Sequence, residues 1–232
     1  MLNRRRKSSR SGLLRRFIQW SIAVVVALHL LWAFLLAGLR YIDPPTTGVQ
    51  LQRRIAALVT RASYRKHYTP VPLRSIAPDL QHAVIAAEDG RFYDHSGIDW
   101  RQVRIVMEES REKGEPARGA STITQQLVKN LFFTTHRNPV RKALEYTLAP
   151  MADTILGKQR TLELYLNVVE WGPGVYGAEA AAKFHFRTRA SALSRDQSAR
   201  LAAILPNPRS RRPERMTRYS SAIQTRMRQM GW

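Results

Sequence analysis

The amino-acid sequence predicts a mainly α-helical protein, with one transmembrane helix near the N-terminus and a helical body after it. Three features point that way. Trp20 to Leu39 is a run of twenty residues without a formal charge. From Leu80 onward, apolar residues recur at spacings of three and four, the period of a helix with one buried face. Helix-start residues stand just ahead of those runs: Pro78, Thr122 with Gln125, Pro139, and Ser194 with Gln197. There is no internal repeat, and few stretches read as strands.

The apolar run comes first. At 1.5 Å per residue, twenty residues reach across a hydrocarbon core of about 30 Å. The apolar region of a cleavable signal peptide is shorter, about 7–15 residues, and Leu36-Ala37-Gly38 is a weak cleavage site. Arg4, Arg5, Arg6, Lys7, Arg10, Arg15 and Arg16 precede the run, whereas only Arg40 and Asp43 follow it closely. That asymmetry predicts a cytoplasmic N-terminus and a body outside the cytoplasm. Trp20 and Tyr41 mark the two ends, as interfacial anchors do.

Charge narrows the partners. The 232 residues carry 38 Lys and Arg against 17 Asp and Glu, a net charge of +21. Without the seven basic residues of the tail, 31 bases still face all 17 acids. The body therefore favours acidic partners, anionic lipid or a phosphorylated substrate, and its location makes nucleic acid an unsuitable one. The absence of cysteine excludes disulfides, thiol nucleophiles and thiolate metal sites. The chain divides into a basic tail (1–19), the span (20–39), a linker and membrane-proximal segment (40–72) and a folded domain (73–232).

Asp43-Pro44-Pro45-Thr46-Thr47-Gly48 ends the first helix. Val49 to Thr60 reads as a short amphipathic helix, and the basic, proline-rich stretch Arg61 to Ser75 as loop or extended chain. Leu80 to Ala87 is an apolar helix started by Pro78 and Asp79, and Trp100 to Ser110 is another. Arg111 to Gly119 has no periodicity and is a loop, either an ordinary connection or a functional lid. Pro139 opens a helix with Val140, Leu144, Leu148, Met151 and Ile155 on one face. Thr161 to Glu170 forms a second helix, stopped by Trp171-Gly172-Pro173-Gly174. Val175 to Phe186 reads as an alanine-rich helix, the Ser194 box leads into one that Pro206 ends, and a last helix spans about Met216 to Met230.

Chemistry concentrates in two stretches. Glu88-Asp89-Gly90-Arg91-Phe92-Tyr93-Asp94-His95-Ser96-Gly97 follows the apolar helix, so Glu88 arrives at the end of a buried element. A carboxylate held there is a candidate general base, because burial raises its pKa towards the working pH. At Ser121 a helix starts through the Thr122–Gln125 capping box, and its free N–H groups and positive dipole end predict an anion site. Lys129 shares a face with Gln125 at i, i+4; alone, the segment reads as an amphipathic helix with polar outer residues rather than as a site. Arg141 and Glu145, also at i, i+4, form a potential pair beside Lys142.

Together these stretches resemble the glycosyltransferase family 51 domain, the peptidoglycan polymerase module, from about Leu73 to Pro213. Glu88-Asp89-x-x-Phe92-x-x-His95-x-Gly97 looks like its first motif, and Gly119-Ala120-Ser121-Thr122-Ile123-Thr124-Gln125-Gln126-Leu127-Val128-Lys129-Asn130 like the second. Arg141-Lys142-x-x-Glu145 is similar to the third, Leu162-Glu163-x-Tyr165-Leu166-Asn167 to the fourth, and Leu201-x-x-Ile204-Leu205-Pro206-x-Pro208 to the last. Ala120 departs from the pattern, many members having a second glycine there, and is expected to stiffen the loop slightly. Only 24 residues follow Pro208, which suggests the monofunctional, membrane-anchored form found in Gram-negative bacteria.

The resemblance implies a lysozyme-like, two-lobed, mostly helical fold with its smaller lobe dipping into the inner membrane. It implies a periplasmic catalytic domain that polymerises lipid II into a β-1,4-linked glycan strand, with inversion and release of undecaprenyl diphosphate, and sensitivity to moenomycin. On that reading Glu88 and Glu145 are catalytic, while Ser121, Gln125, Lys129, Arg141 and Lys142 bind substrate. No cofactor is required, although a divalent cation, Mg or Mn, has a place at the diphosphate. The nascent glycan strand and cell-division or cell-wall synthesis proteins are candidate partners. Two alternatives come from other classes: a membrane-anchored lytic enzyme that cleaves glycan, and a non-catalytic cell-wall scaffold. The clustered bases argue against the first, since a hydrolase has no diphosphate to hold, and a scaffold would tolerate loss of Glu88.

Overall fold

A computed structural model describes residues 3–115, 119–136 and 138–232. Pro116 to Arg118, within the expected loop, lie outside the described residues. Helix α1 runs from Asn3 to Leu39 and contains the apolar run; its stretch Arg15–Leu39 is long and apolar enough to cross a membrane, with almost none of it buried by protein. Helix α2, Gly48–Val59, begins at a Thr47 cap whose hydroxyl accepts from the Gln50 N–H. Helix α3, Pro78–Glu88, has Pro78 in its first turn, and α4, Trp100–Lys113, is capped by Asp99 and closed by left-handed Gly114.

Helix α5, Ile123–Phe132, starts at a complete Thr122–Gln125 capping box, and α8, Arg195–Ile204, at a complete Ser194–Gln197 box. The segments expected as separate helices from Pro139 and Thr161 are one long α6, Pro139–Val168, kinked at Gly157, where φ is 72° and ψ 166°. The remaining helices are α7, Ala178–Phe186, and α9, Thr217–Gln229.

The expected helix from Val175 to Phe186 is corrected at its start. Val175–Tyr176 is a strand, β3, pairing parallel to β1 (His67–Tyr68) and antiparallel to β2 (Glu170–Gly172). Trp171 and Tyr176 are fully buried, so this small sheet is interior, and Gly177 rather than Gly174 marks where helix resumes. Gly174 is the turn that reverses the chain between β2 and β3.

The most extensive helix packing links α3, α8 and α9 with one another, and α5 with α6, with α1 on α6 and α2 on α5, around one continuous core. Motif-four side chains tie the segment ahead of α3 to α6: Asn167 Oδ1 accepts from the Val71 N–H at 3.0 Å, its Nδ2 donates to the Val71 carbonyl at 2.8 Å, and Glu163 accepts from the Leu73 N–H at 2.6 Å. Gly97 fixes how the first motif meets α6. Its φ is +83°, and a Cβ there would lie 2.5 Å from the Ala149 carbonyl oxygen. The Gly97 carbonyl in turn accepts from the Thr122 hydroxyl at 2.6 Å, so one residue contacts both α6 and the start of α5.

Gly97→Ala should therefore destabilise the protein by at least about 1–3 kcal/mol, combining overpacking with a strained φ. Gly90→Ala, where a Cβ meets nothing within 4 Å, should leave the thermal midpoint nearly unchanged. Thermal unfolding of the two detergent-solubilised variants checks the contrast; equal midpoints would show that this contact does not constrain the fold.

Candidate active site

Helix α3 ends where Asp89 leaves helical geometry, at φ −160° and ψ 69°. The Asp89 side chain turns inward. Both its oxygens face His95 Nε2, at 3.0 and 3.1 Å, and Oδ2 accepts from the Ile123 N–H at 2.9 Å. The anion at the start of α5 is thus the protein's own Asp89, which takes the place that the free helix end was expected to offer a ligand. Lys158 donates to the His95 carbonyl and pairs with Asp153 at 2.7 Å, fastening the same loop to α6. Ala120 has no left-handed φ, so the loop takes an alanine there without backbone strain; Gly119, at φ +87°, supplies the turn.

With α3 joined to α5 in this way, Glu88 faces the second turn of α5. Gln126 Nε2 donates to Glu88 Oε2 at 2.7 Å, and the Tyr165 hydroxyl donates to Gln126 Oε1 at 3.0 Å. The phenol fixes the amide orientation, since a donor at Oε1 leaves Nε2 to face the carboxylate. Burial raises the Glu88 pKa; the Gln126 hydrogen bond and the Lys129 and Arg211 charges oppose the shift. Tyr165, fully buried near Glu88 and Asp89, is pushed well above the usual phenol range and stays a donor.

Lys129 lies one turn beyond Gln126 on the same face. Burial lowers its pKa, the negative charges of Glu145 and Glu88 raise it, and the positive charges of Arg141 and Lys142 lower it. The ammonium therefore sits within the field of both glutamates. On α6, Arg141 Nη1 lies 2.8 Å from Glu145 Oε1, and Lys142 Nζ lies 3.3 Å from Glu145 Oε2 and 3.0 Å from the Ser121 hydroxyl. The Arg141 contact is close but not aligned as a hydrogen bond, and among the described residues the buried Arg141 Nε has no acceptor.

Ser121, Lys142, Glu145 and Arg141 are thus joined by direct contacts, and Lys129 lies within the fields of Glu145 and Glu88. Gln125 is the exception. It is fully buried, and its Oε1 accepts from the Thr122 N–H at 3.1 Å, which turns its side chain back along the helix and leaves Nε2 without a partner. Sequence reasoning missed Gln126, Tyr165 and Arg211. The first was recoverable, because a capping box that engages Gln125 leaves Gln126 as the glutamine facing forward. The other two come from distant parts of the chain, with no local signal.

Two clefts of about 240 Å³ adjoin Glu88 and its amide partner. One is lined by Glu88, Arg91, Gln102, Ser121 and Arg226; the other by Arg53, Gln126, Lys129, Glu170, Asn207 and Arg209. The arrangement offers a desolvated carboxylate between two spaces, with four cationic side chains at hand. Among the described residues no three His, Asp or Glu side chains converge on a metal position.

The electrostatics have two measurable consequences. Removing the Lys129 charge should raise the Glu88 pKa further, so the acidic limb of activity retained by Lys129→Ala should move to higher pH; an unmoved limb would separate Lys129 from Glu88. Glu88 also lowers stability where it is ionised. A carboxyl whose folded pKa is raised contributes stability only while protonated, and that contribution is lost as pH rises through its folded pKa. Glu88→Gln should therefore have a higher melting temperature than wild type near neutrality. The difference should vanish below the ordinary glutamate range, as followed by thermal unfolding across pH.

Comparison with known proteins shows the family. A family model described as Transglycosylase matches residues 54–230. Proteins named biosynthetic peptidoglycan transglycosylase are similar over most of their length. The one from Shewanella amazonensis is 45% identical over 221 residues, covering 94% of this chain and 89% of that protein. Those from Brucella suis and Laribacter hongkongensis are 43% and 38% identical, with coverage of 87% and 87%, and of 91% and 96%. With its glutamate, its cationic cluster and this similarity, the chain belongs to the transglycosylase family.

Proposed function

We propose that the protein is a peptidoglycan glycosyltransferase that builds glycan strands from lipid II, and that Glu88 is its base. The observation that carries this reading is the position of Glu88: desolvated, oriented by the Gln126–Tyr165 pair, and facing Lys129 across from the Arg141–Lys142–Glu145 group. A proton acceptor beside a set of fixed cations suits a transfer that expels a diphosphate.

In the proposed step, the 4-hydroxyl oxygen of the acceptor disaccharide bonds to the anomeric carbon of the growing chain. Its proton passes to the Glu88 carboxylate, the bond from that carbon to the diphosphate oxygen breaks, and the electron pair leaves with undecaprenyl diphosphate. Attack from the face opposite the leaving group inverts the anomeric centre and gives the β-1,4 linkage. A positioned base contributes roughly 10²–10⁴-fold. Lys129, Arg141 and Lys142 neutralise the departing charge in a site where burial strengthens each interaction. Ser121, held by Lys142, adds a hydroxyl at the mouth of the first cleft. A divalent cation bound with the diphosphate would add positive charge at the leaving group. In the same reading the N-terminus is cytoplasmic, α1 anchors the chain in the inner membrane, and the body works on the periplasmic side.

The two glutamates should separate by mutation. Glu88→Gln keeps the hydrogen-bonding shape but cannot accept the proton, so turnover of lipid II should fall by at least about 10² while moenomycin still binds. Glu145→Gln releases Arg141 and Lys142 from their shared partner, and should change inhibitor binding and rate together. Polymerisation at the wild-type rate by Glu88→Gln would falsify the assignment of the base.

A further inference from the structure

Helix α9 lies against α3, the helix whose final residue is Glu88. Ser220, Ile223 and Met227 bury its inner face. The proposed step uses nothing from α9, yet one of its residues, Arg226, lines the first cleft together with Glu88.

Three contacts run along α3. In its first turn, Arg195 of α8 places Nη1 3.2 Å from Asp79 Oδ1, while Nη2 donates to the Trp232 backbone oxygen at 2.6 Å. One guanidinium thus ties the chain beyond α9 to the start of α3. One turn on, the Trp232 indole stacks on the His82 imidazole, with centroids 4.4 Å apart and planes 10° from parallel. In the last turn, Arg226 Nη1 donates to the Ala86 carbonyl at 3.4 Å. Positions 79, 82 and 86 are spaced by three and four, so they share one face of α3. Glu88, two residues beyond Ala86, is about 200° further round the helix and looks the other way, towards Gln126 on α5.

The Ala86 contact compensates for the turn that makes the site. In an unbroken helix the Ala86 carbonyl would accept from the Gly90 N–H. Asp89 leaves helical geometry and turns to His95 and Ile123, and among the described residues no backbone N–H beyond α3 is bonded to Ala86. Ala86 is buried, and a buried carbonyl needs a donor. Arg226 supplies one, and its charge meets the negative end of the helix dipole.

On the reading of Glu88 as the base, we infer that α9 is a splint for the helix that carries it, and that Arg226 is a positioning residue for the proposed step. By capping α3, Arg226 fixes the Glu88 carboxylate along the helix axis, between Gln126 and the acceptor's hydroxyl. Arg226 neither exchanges a proton nor holds substrate in this role. Asp89 sets α5 against α3, and Arg226 sets the end of α3 itself. An arginine on an otherwise solvent-facing part of α9 thereby acts on the reaction through the backbone of Ala86, two residues from the carboxylate.

Kinetics of the full chain in detergent with labelled lipid II test this, with moenomycin titration counting folded sites so that every rate is expressed per site. Arg226→Ala should lower kcat roughly tenfold and leave KM within about twofold, because a displaced base weakens the transition state and not the bound substrate. Arg226→Lys, which keeps a charged donor for the carbonyl, should recover most of the loss. Arg228→Ala, an exposed neighbour whose guanidinium reaches only Thr225, should behave as wild type. The deciding measurement is a double-mutant cycle with Glu88→Gln. If Arg226 works through the carboxylate, adding Arg226→Ala to Glu88→Gln should cost less than about twofold, since no base remains to be placed. A further loss of roughly tenfold in the double variant would mark an independent effect and overturn the inference. So would a raised KM at unchanged kcat, the mark of direct substrate contact. Glu88→Gln alone reads the proposed function separately: a wild-type rate there removes the base and the splint together, whereas a low rate with additive losses removes the splint only.

Discussion

The structure depends on one buried carboxylate. Asp89 stops α3, receives the imidazole of His95 on both oxygens and takes the first N–H of α5. The His95 contact closes the loop that follows α3, the Ile123 contact joins residues 34 apart, and together they set the end of one helix against the beginning of another. A negative charge at a helix N-terminus is favourable, and hydrogen bonds to a charged group contribute more than neutral ones. The neighbouring Gly97 and Lys158 extend the same joint to α6. Glu88 gains its partners through this joint, because Gln126 and Lys129 are presented to it only when α5 starts where Asp89 holds it.

The chemistry then follows from an imbalance the fold maintains. Glu88 is desolvated, yet one amide and nearby cations keep its charged form accessible. Lys129 is desolvated as well, and two glutamates preserve its charge while Arg141 and Lys142 oppose it. On the proposed function, the substrate would bring a proton to the first group and a diphosphate to the second. Unfilled donors on Arg141 and Gln125 belong to the same pattern. Sites of this kind lower stability in exchange for activity, so the ionised glutamate is a place where a neutral substitution should strengthen the fold.

The helices were legible because their signals are local. Both capping boxes form as written, Pro78 and Pro139 occupy first turns, and Glu88 stands at a helix end as the apolar run before it implies. What was hidden depends on tertiary contact. Val175–Tyr176 looks like the start of an alanine-rich helix, but pairing with β1 and β2 overrides that tendency. Gly157 breaks helical geometry without ending the element, so two expected helices are one kinked one. The helix start at Ser121 was expected to offer its free N–H groups to a bound anion, whereas the charge found there is Asp89, 34 residues before Ile123. The Arg53–Glu170 pair spans 117 residues and could not be read from spacing at all.

The most direct measurement on this account is the rate of lipid II polymerisation by Asp89→Asn, on protein whose thermal transition shows it to be folded. A neutral amide lacks the negative charge and the second acceptor oxygen of the carboxylate, so the start of α5 should loosen and Gln126 and Lys129 should lose their register with Glu88. The loss of a charged hydrogen bond, about 1.5–3 kcal/mol, predicts a fall of roughly ten- to a hundredfold with every other site residue intact. A wild-type rate from folded Asp89→Asn would contradict the account and show that α3 alone positions the base.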